Sequence, residues 1–480
     1  MSLIKKTLSG FLWTFLQQFS VQLINFGVTV ILARILLPEE FGLIAMLTVF
    51  ISIGNNLMDG GLASSLIRSN DLTQKDYSTV FFFNLAGSAI MYGLIFFSAP
   101  FIAAFYQQNI LALVLRVYAI GFIINAFYSV QNARLTKEMN FKIQMTIQIP
   151  SVLVGGLLGV FLAMKGYGVW SLVWMNLFQS FLSTVMHWIY SGWVPSFVFD
   201  KKSFIRHFHF GYKMTLTGLM DTLYRNIYVL IIGKYYSVLQ LGFYSRAESV
   251  SQLPTSNIAA IINKVTYPMF ASINNNDAKL KSVYKTLMQQ VLFWNAPILI
   301  FLAVIGEPLF TFLFTVKWLP AVPYFQILCL SGVMYPLHSY NLNILKVKGR
   351  SDLILKIEII KKIISVIGIL CVIPFGIYGL LYVQLFFSFF SYYINSIYSG
   401  KLLDYPISEQ ITDILPTILI SLSIGLLCYL FDQMFLKPMA FFDITRMVID
   451  GLFFFLLYLG CSTLLKLTPI HDFKQLILKR

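Results

Sequence analysis

Two charged residues four positions apart, Asp221 and Arg225, lie within a long apolar segment of this chain. Counting about 1.5 Å of helical rise per residue from Lys213 places Asp221 about 12 Å and Arg225 about 18 Å into a hydrocarbon core about 30 Å thick. Charge at that depth is costly, and residues with this spacing share one helix face. The pair could be a self-neutralising packing contact. We favour the alternative, a water-filled cavity in which Arg225 binds an anionic group with Asp221 as its partner.

Further polar side chains recur at helical spacing in other apolar segments. The candidate cavity residues are Gln18, Gln22 and Asn25 in the first segment, Asn56 and Asp59 in the second, Tyr224 beside Arg225 in the seventh, and Glu248 in the eighth. Hydrogen bonding between packed helices would explain one such stripe, but a shared hydrophilic lumen explains four better. Arg116 and Arg246 are nearer the outer boundary, where they either join the anion site or extend to the headgroups.

The composition requires a membrane to surround these residues. Of 480 residues 58% are hydrophobic and only 11% charged, against about 25% charged in globular proteins, which excludes a soluble enzyme. Runs of 18 or more mostly apolar residues predict fourteen transmembrane helices, and their length excludes a transmembrane barrel. The predicted spans are 11–36, 41–67, 79–105, 110–131, 143–164, 168–191, 212–236, 241–272, 286–306, 323–345, 354–374, 376–399, 411–431 and 442–467.

The basic residues give the orientation. With the N-terminus inside, alternate loops place 26 of the 35 lysines and arginines on the cytoplasmic side. Six lie outside, namely Arg34, Lys165, Lys234, Lys317, Lys437 and Arg446. The net charge of +15 therefore comes mainly from the excess of basic residues in the cytoplasmic loops. Both termini are expected in the cytoplasm. No nucleic-acid partner is expected. His207 and His209 lie in a basic cytoplasmic loop, where we expect lipid-surface contacts rather than metal binding.

A long polar connection and a faint repeat divide the chain into two halves. A shift of 200 residues aligns Arg34 with Lys234 and Gly42 with Gly242, which indicates parallel repeats related by an axis along the membrane normal. The predicted domains are an N-lobe of six helices (1–191), a cytoplasmic interlobe linker (192–211), a C-lobe of six helices (212–400), and two C-terminal helices with a cytoplasmic tail (401–480).

Breaks and close contacts are predicted within the spans. Prolines are expected to bend helices, and paired glycines to allow bending or close packing. The positions are Pro254, Pro297, Pro336, Gly60-Gly61 and Gly155-Gly156.

Motifs for catalysis, cofactors or metals are not found. The chain has no His-Glu-x-x-His and no phosphate-cradling Gly-x-x-x-x-Gly-Lys motif. Its four cysteines have neither pairing nor metal-ligand spacing, and we interpret them as packing residues. The sequence thus predicts a protein that is not an enzyme and has no cofactor or metal site.

Ordered motifs run through most of the chain. They are Arg34–Gly42 and Asp59–Leu62 in the first two spans, Lys165–Trp170 between spans 5 and 6, Leu241–Ala247 followed by Leu253-Pro254 and Tyr267-Pro268, and Trp318 with Ala321, Val322 and Gln326–Leu328. Together they resemble bacterial lipid-linked oligosaccharide flippases of the Wzx type. This family is the polysaccharide transporter branch of the superfamily that also holds multidrug extruders and the lipid II flippase. The pattern is most similar to exporters of colanic and teichuronic acid type.

The resemblance implies two six-helix lobes around a central cavity, with two extra helices that in lipid II flippases help to form a groove for the lipid tail. It implies an undecaprenyl-pyrophosphate-linked oligosaccharide as substrate, which is flipped by alternating access from the cytoplasmic to the outer leaflet of the bacterial cytoplasmic membrane. Other expected partners are membrane lipid and the polymerase and glycosyltransferases of the same pathway.

The candidate cavity residues suit this substrate. A pyrophosphate needs a cation near the midplane, which Arg225 supplies, and a sugar needs amides and aromatic faces such as those of Gln18, Asn25 and Tyr224. Asp59, Asp221 and Glu248 are expected to partner the cation or to couple flipping to H⁺ or Na⁺. Two alternatives remain open at this point, a cation-coupled multidrug extruder of the same superfamily and a non-transporting scaffold of cell-envelope synthesis.

Overall fold

The chain is helical through most of the part that the structure describes. This computed structural model describes the backbone of residues 3–471, and the side chains from Gly10 onward apart from those at positions 11, 260, 261 and 263. The end of the predicted cytoplasmic tail, residues 472–480, lies outside the described residues. Large apolar side chains are exposed along many helices, as expected of a protein whose surface contacts lipid.

The chain folds as two compact units, Met1–Gly242 and Phe243–Arg480. The helices of unit 1 are α1 (Leu3–Ile35), α2 (Pro38–Asp59), α3 (Leu62–Arg68), α4 (Gln74–Tyr106), α5 (Ile110–Tyr118), α6 (Ile120–Lys137), α7 (Phe141–Met164), α8 (Val169–Tyr190), α9 (Lys201–Arg225) and α10 (Ile227–Tyr235). Helix α11 (Val238–Ser272) begins in unit 1 and continues into unit 2. The other helices of unit 2 are α12 (Asp277–Val304), α13 (Gly306–Phe314), α14 (Val322–Gly332), α15 (Tyr335–Val347), α16 (Ser351–Val372), α17 (Gly376–Leu403), α18 (Ile407–Phe431) and α19 (Asp443–Leu464).

Within residues 3–471, ten helical stretches are long and apolar enough to cross a membrane. They account for eleven of the fourteen predicted spans, because the stretch Ser351–Leu403 contains two, α16 and α17. The sixth, seventh and eighth predicted spans correspond to α8, to α9 with α10, and to α11, which are richer in amide, hydroxyl and charged side chains. The prediction of an all-helical, multi-pass membrane protein is confirmed, and the number fourteen stays a prediction.

The predicted linker, 192–211, is a loop only in its first half. Its second half is the beginning of α9, where the Asp200 carboxylate caps the helix by accepting the Ser203 N–H at 2.7 Å. Before the helix, the Asp200 N–H donates to Thr79 Oγ1 of α4 at 2.9 Å. Helix α9 thus begins within the predicted linker and extends well beyond the apolar residues that define the span. The role of 192–211 as the linker between lobes stays a prediction.

Helices α9 and α10 pack with the helices that precede them, so the boundary between the compact units falls after Gly242 rather than within the linker. The predicted division into two six-helix lobes rests on the sequence repeat rather than on packing, and it stays a prediction.

The predicted breaks and close contacts take several forms. Helix α2 ends before Gly60 and Gly61, whose φ angles of 54° and 67° are readily adopted only by glycine. The segment around Pro336 is broken between α14 and α15, whereas α11 and α12 continue through Pro254 and Pro297. The glycine pair of α7 allows close packing, because a Cβ at Gly155 would lie 2.9 Å from Gln179 Cβ and a Cβ at Gly156 2.5 Å from a Val28 methyl.

The residues aligned by the 200-residue shift occupy similar turns in unit 1. Helix α1 ends at Ile35 and α2 begins at Pro38, while α10 ends at Tyr235 and α11 begins at Val238. The beginnings of α2 and α11 lie against each other, since a Cβ at Gly42 would lie 2.1 Å from the Val238 carbonyl oxygen. In return, a Cβ at Gly242 would lie 1.9 Å from the Pro38 carbonyl oxygen. Reciprocal contacts of this kind are expected of elements related by a twofold axis, and the repeat of the two halves as a whole stays a prediction.

Each unit has its own apolar core. In unit 1, a cluster joins α3, α4 and α6 with the connection that leads to α9, through Leu62, Leu66, Val80, Phe81, Val130, Ala133 and Trp193. In unit 2, a larger cluster centres on the fully buried rings of Phe270, Tyr284, Tyr340 and Tyr405.

Candidate functional site

Arg225 occupies the last position of α9, at a break within the seventh predicted span. Asn226 interrupts the helix, with φ −96° and ψ 6°, and α10 begins at Ile227. The Asn226 side chain fixes the break by donating to the Thr222 carbonyl oxygen at 2.8 Å. A helix carboxyl terminus favours a cation, and interrupted helices form ion and substrate sites in many transporters.

Of the three arginines predicted within the spans, Arg225 has the exposed side chain. Asp221 is exposed one turn before it, and Tyr224 is partly buried. An exposed guanidinium inside an apolar segment can donate two parallel hydrogen bonds to two oxygens of a phosphate. The end of α9 therefore has the chemistry of an anion site.

Helix α2 holds this part of α9 in place. Asn56 Nδ2 donates to Thr222 Oγ1 at 2.6 Å and to the Ser52 carbonyl oxygen of its own helix at 3.1 Å. Gly218 permits the approach, because a Cβ there would lie 2.8 Å from Asn56 Oδ1. The structure thus brings the predicted residue Asn56 against the turn of α9 that precedes Arg225, and its place in a substrate cavity stays a prediction.

A second close contact between the same elements lies nearer the cytoplasmic end. A Cβ at Gly61 would lie 2.3 Å from the Gly211 carbonyl oxygen, and a Cβ at Gly211 would lie 2.2 Å from that of Gly60. Backbones that approach this closely leave no room for side chains. The α2–α3 turn and α9 are therefore packed backbone to backbone, which fixes α9 along its length.

Asp59, predicted as a cavity or coupling carboxylate, lies at the end of α2. Its Oδ1 accepts the Ala63 N–H at 3.4 Å across the turn formed by Gly60 and Gly61. The structure therefore places it at the turn into α3, nine residues before the basic side chain of that helix, Arg68.

The predicted stripe of α1 is open in part. Gln18 and Asn25 are exposed and Gln22 is partly buried, while α1 packs on α7 through contacts such as Val28 with Gly156. These amides are accessible to a ligand or to water. The structure does not join them by a hydrogen bond to Arg225 within its described contacts.

The other predicted residues have partners within their own units. In unit 1, Arg116 Nε donates to the Phe96 carbonyl oxygen at 3.1 Å, and its guanidinium lies 4.4 Å from the centre of the Phe96 ring. In unit 2, buried Arg246 lies 5.6 Å from the ring centres of both Phe314 and Trp318. Glu248 accepts hydrogen bonds from Tyr244 Oη at 3.3 Å and Gln252 Nε2 at 3.2 Å.

A buried polar cluster at the cytoplasmic end of unit 1 was not predicted. The Asp76 carboxylate, at the beginning of α4, pairs with Arg206 and lies 3.3 Å from His207 Nε2. Ser65 Oγ lies 2.7 Å from His207 Nδ1 on the other side of the ring. The sequence signal for the carboxylate was the capping box of Thr73 and Asp76.

His207 was predicted to contact the lipid surface, and this is wrong, because its ring is fully buried. Burial lowers the pKa of His207, and the hydrogen bond to Asp76 opposes that shift without cancelling it. The ring is therefore neutral near pH 7. His209, two positions on, is exposed.

Among the described residues, no group of three or more His, Cys, Asp or Glu side chains is arranged to hold a metal ion. The polar groups near the end of α9 are instead a guanidinium, amides and hydroxyl groups.

Residues 31–323 match the model of a protein family described as polysaccharide biosynthesis protein. The chain belongs to this family. Proteins similar to the chain are found in several bacteria. The chain is 27% identical to the teichuronic acid biosynthesis protein TuaB of Bacillus subtilis (strain 168), over 73% of each chain.

Two more relatives are similar over long stretches. The lipopolysaccharide biosynthesis protein WzxC of Escherichia coli (strain K12) is 25% identical over 89% of each chain. The succinoglycan biosynthesis transport protein ExoT of Rhizobium meliloti (strain 1021) is 25% identical over 68% of this chain and 67% of its own.

Solved structures establish the fold class. The lipid II flippase MurJ, in an inward closed conformation, superposes with a TM-score of 0.75 at 14% identity, over 95% of this chain and 98% of that one. An inward-facing multidrug resistance transporter of the MATE family superposes with a TM-score of 0.62 at 15% identity, over 80% and 94%. The family member described here thus has the helical fold shared by these membrane transporters.

Proposed function

We propose that this protein flips undecaprenyl-pyrophosphate-linked oligosaccharide repeat units from the cytoplasmic to the outer leaflet, for export of a surface polysaccharide. Membership of the polysaccharide biosynthesis family and relatives named for teichuronic acid, lipopolysaccharide and succinoglycan support the pathway. The fold that the chain shares with a lipid II flippase supports the type of movement. No chemical step is needed, since the substrate changes leaflet and not structure.

The observation that carries the proposal is the exposed guanidinium of Arg225 at the break between α9 and α10. A pyrophosphate offers several anionic oxygens, and a planar guanidinium binds two of them with parallel hydrogen bonds. Away from bulk water the attraction is far stronger than at a surface. Asp221, one turn away, neutralises the site when it holds no substrate.

The sugar part of the substrate would contact the accessible polar groups of α1 and α9. The amides of Gln18, Gln22 and Asn25 can both donate to and accept from sugar hydroxyls, and Tyr224 adds an aromatic face. The polyprenyl tail stays in the surrounding lipid, because transferring it into a polar cavity would lose its hydrophobic stabilisation.

The movement we propose is alternating access by rocking of the two predicted six-helix lobes. Asp59, Asp221 and Glu248 are the candidate carboxylates for coupling to H⁺ or Na⁺. Delivery and removal of the substrate would bring the protein near the glycosyltransferases and polymerase of the same pathway.

The test is reconstitution of the full chain into proteoliposomes that contain a defined undecaprenyl-pyrophosphate oligosaccharide. We expect leaflet transfer that is faster than in protein-free liposomes, measured by accessibility of the glycan to an external glycosidase. Transfer with and without imposed H⁺ and Na⁺ gradients identifies the coupling ion.

A matched assay addresses the competing multidrug function. Efflux of a lipophilic cationic dye from the same proteoliposomes, with no transfer of the glycolipid, would contradict the proposal and favour an extruder. Transfer of neither compound by folded protein would favour a scaffold of envelope synthesis.

A further inference from the structure

Two aspartates and one arginine are buried together at the end of unit 2 that the sequence places outside the membrane. Asp432 and Asp450 are 1% and 0% exposed, and Arg446 is 6% exposed. Asp432 directly follows the last residue of α18, and Arg446 and Asp450 are one turn apart on α19. These residues are separate from the end of α9, and the proposed function leaves them without a role.

Arg446 is committed to one of the two aspartates. Its Nε donates to Asp432 Oδ1 at 2.9 Å, and its Nη2 donates to Asp432 Oδ2 at 2.7 Å. A bidentate contact of this kind is the strong form of an arginine–carboxylate pair. Asp432 also begins a π-helical turn, Asp432–Leu436, so the ion pair ties the end of α18 to α19.

The other aspartate, Asp450, lacks a partner that could compensate a negative charge. Its Oδ1 lies 3.6 Å from Cys428 Sγ, and a thiol is only a weak donor. Its Oδ2 is buried and has no hydrogen-bond partner among the described residues. Because Asp432 already neutralises Arg446, an ionised Asp450 would leave the buried group with a net negative charge. A buried carboxyl group in this situation generally takes up a proton.

The other ionisable groups at this end of unit 2 favour the same protonation. Two more acids are present, Asp443, whose Oδ1 lies 3.8 Å from Arg446 Nη1, and Glu307 of α13, which pairs with Lys437 at 2.8 Å. Helix α12 presents an apolar ring, since a Cβ at Gly451 would lie 3.3 Å from the Phe301 side chain. The side chains of Asp443, Glu307 and Lys437 are partly exposed, so ionisable groups extend from the buried carboxyl to water.

We propose that Asp450 is a proton-binding site that controls the partner of Arg446. With the proton bound, Asp450 is neutral and Arg446 holds Asp432. When the O–H bond of the Asp450 carboxyl breaks and the proton passes to water, the new carboxylate is one turn from Arg446 on the same helix face. Arg446 then exchanges Asp432 for Asp450, and the ion pair that ties the end of α18 to α19 is lost.

This exchange would make the packing of the two C-terminal helices depend on the pH at the outer side of the membrane. Asp450 thereby becomes a further candidate carboxylate for coupling of transport to H⁺, and this role rests on the proposed function. Binding of the proton requires neither a substrate nor transport. The two claims therefore fail separately, since a protein that binds the proton without flipping a glycolipid would lose only the coupling role.

The experiment is infrared difference spectroscopy on the full chain in lipid nanodiscs at neutral pH. The C=O stretching band of a protonated carboxyl group is separate from the bands of carboxylates and amides, and it shifts in D₂O. We expect the wild type to show such a band that is lost in Asp450→Asn. The band should also be lost in Asp432→Asn, because the freed Arg446 would then stabilise the ionised form of Asp450.

The matched control is Asp443→Asn, because Asp443 is a partly exposed acid of the same helix. It should keep the band. Identical spectra of the wild type and Asp450→Asn in this region would show that Asp450 is ionised and would overturn the proposal.

The exchange of partners has its own test. A folded Asp432→Asn protein that keeps the band would overturn the exchange. Raising the pH should remove the band from the folded wild type, and a band that persists until the protein unfolds would contradict release of the proton from the folded state.

Discussion

The three arginines of the predicted spans have different environments, and these decide which one is available to a ligand. Arg116 donates to the backbone of α4, Arg246 is buried against two aromatic rings, and Arg225 is exposed at a helix end. The sequence could predict their depth from helical rise. It could not predict their partners, because Phe96 and Trp318 come from other elements of the chain.

His207 illustrates the same limit. Its position between basic residues indicated an exposed loop, but its partners Ser65 and Asp76 lie more than 130 residues earlier. A single sequence contains no signal for such a pairing. The hydroxyl and the carboxylate on either side of the ring are what make burial of this polar side chain tolerable.

The burial of His207 predicts a pH dependence of stability. The groups that face it are Asp76, Ser65, Arg206 and Lys137. Because the pKa of His207 is lowered in the folded state, the unfolded chain takes up a proton on this ring at a higher pH than the folded chain does. The contribution of the neutral ring is therefore fully present above the usual pKa of 6.5 and is lost progressively as the pH falls below it.

We expect the melting temperature of the wild type to decrease when the pH is lowered from about 7.5 to about 5.5. The decrease should be smaller in His207→Asn. Thermal unfolding of the purified protein measures both. His209→Asn, at the exposed histidine of the same helix, should keep the pH dependence of the wild type. An unchanged pH dependence in His207→Asn would show that this ring does not titrate on unfolding.

At the scale of elements, glycines determine how the helices of unit 1 pack. The pairs Gly42 with Gly242 and Gly61 with Gly211 each bring two backbones into contact. The sequence aligned Gly42 with Gly242 by their shift of 200 residues, but it could not show that the aligned residues touch. No proline or glycine next to Asn226 predicts the break in the helix there, and only the structure shows it.

Gly42→Ala should destabilise unit 1 strongly, because the new Cβ would lie 2.1 Å from the Val238 carbonyl oxygen. A clash of this kind costs about 1–3 kcal/mol, since the backbone cannot move aside as a flexible side chain can. Gly93→Ala is the matched control, because nothing lies within 4 Å of a Cβ there. Thermal unfolding should give a lower melting temperature for Gly42→Ala alone, and equal melting temperatures for the two variants would be inconsistent with the contact.

At the scale of the whole molecule, hydrophobicity and basic residues were sufficient to predict a multi-pass helical protein. The apolar runs gave the positions of the helices, because burial in lipid requires length and apolar composition. They did not give the ends of α9, which continues into the polar segment that begins at Lys201. The compact units were also unpredictable, since α9 and α10 belong to the second sequence repeat but pack in unit 1.

The topology predicts which turns face each side of the membrane. In a cysteine-free background, Tyr167→Cys lies in an outer turn and Asn275→Cys in a cytoplasmic one, and both original side chains are exposed. A membrane-impermeant maleimide should label Tyr167→Cys in intact cells and Asn275→Cys only after permeabilisation. Labelling of Asn275→Cys in intact cells would mean that the number of spans before it is wrong.

The proposed role of Arg225 in flipping is tested most directly by the rate at which the Arg225→Ala variant flips an undecaprenyl-pyrophosphate oligosaccharide in proteoliposomes. Loss of a charged, bidentate contact should slow flipping at least about tenfold. Lys213→Ala, which removes an exposed cation from the same helix, should flip at the wild-type rate, and both variants should unfold at similar temperatures. A folded Arg225→Ala protein that flips as fast as the wild type would contradict the assignment of Arg225 as the pyrophosphate contact.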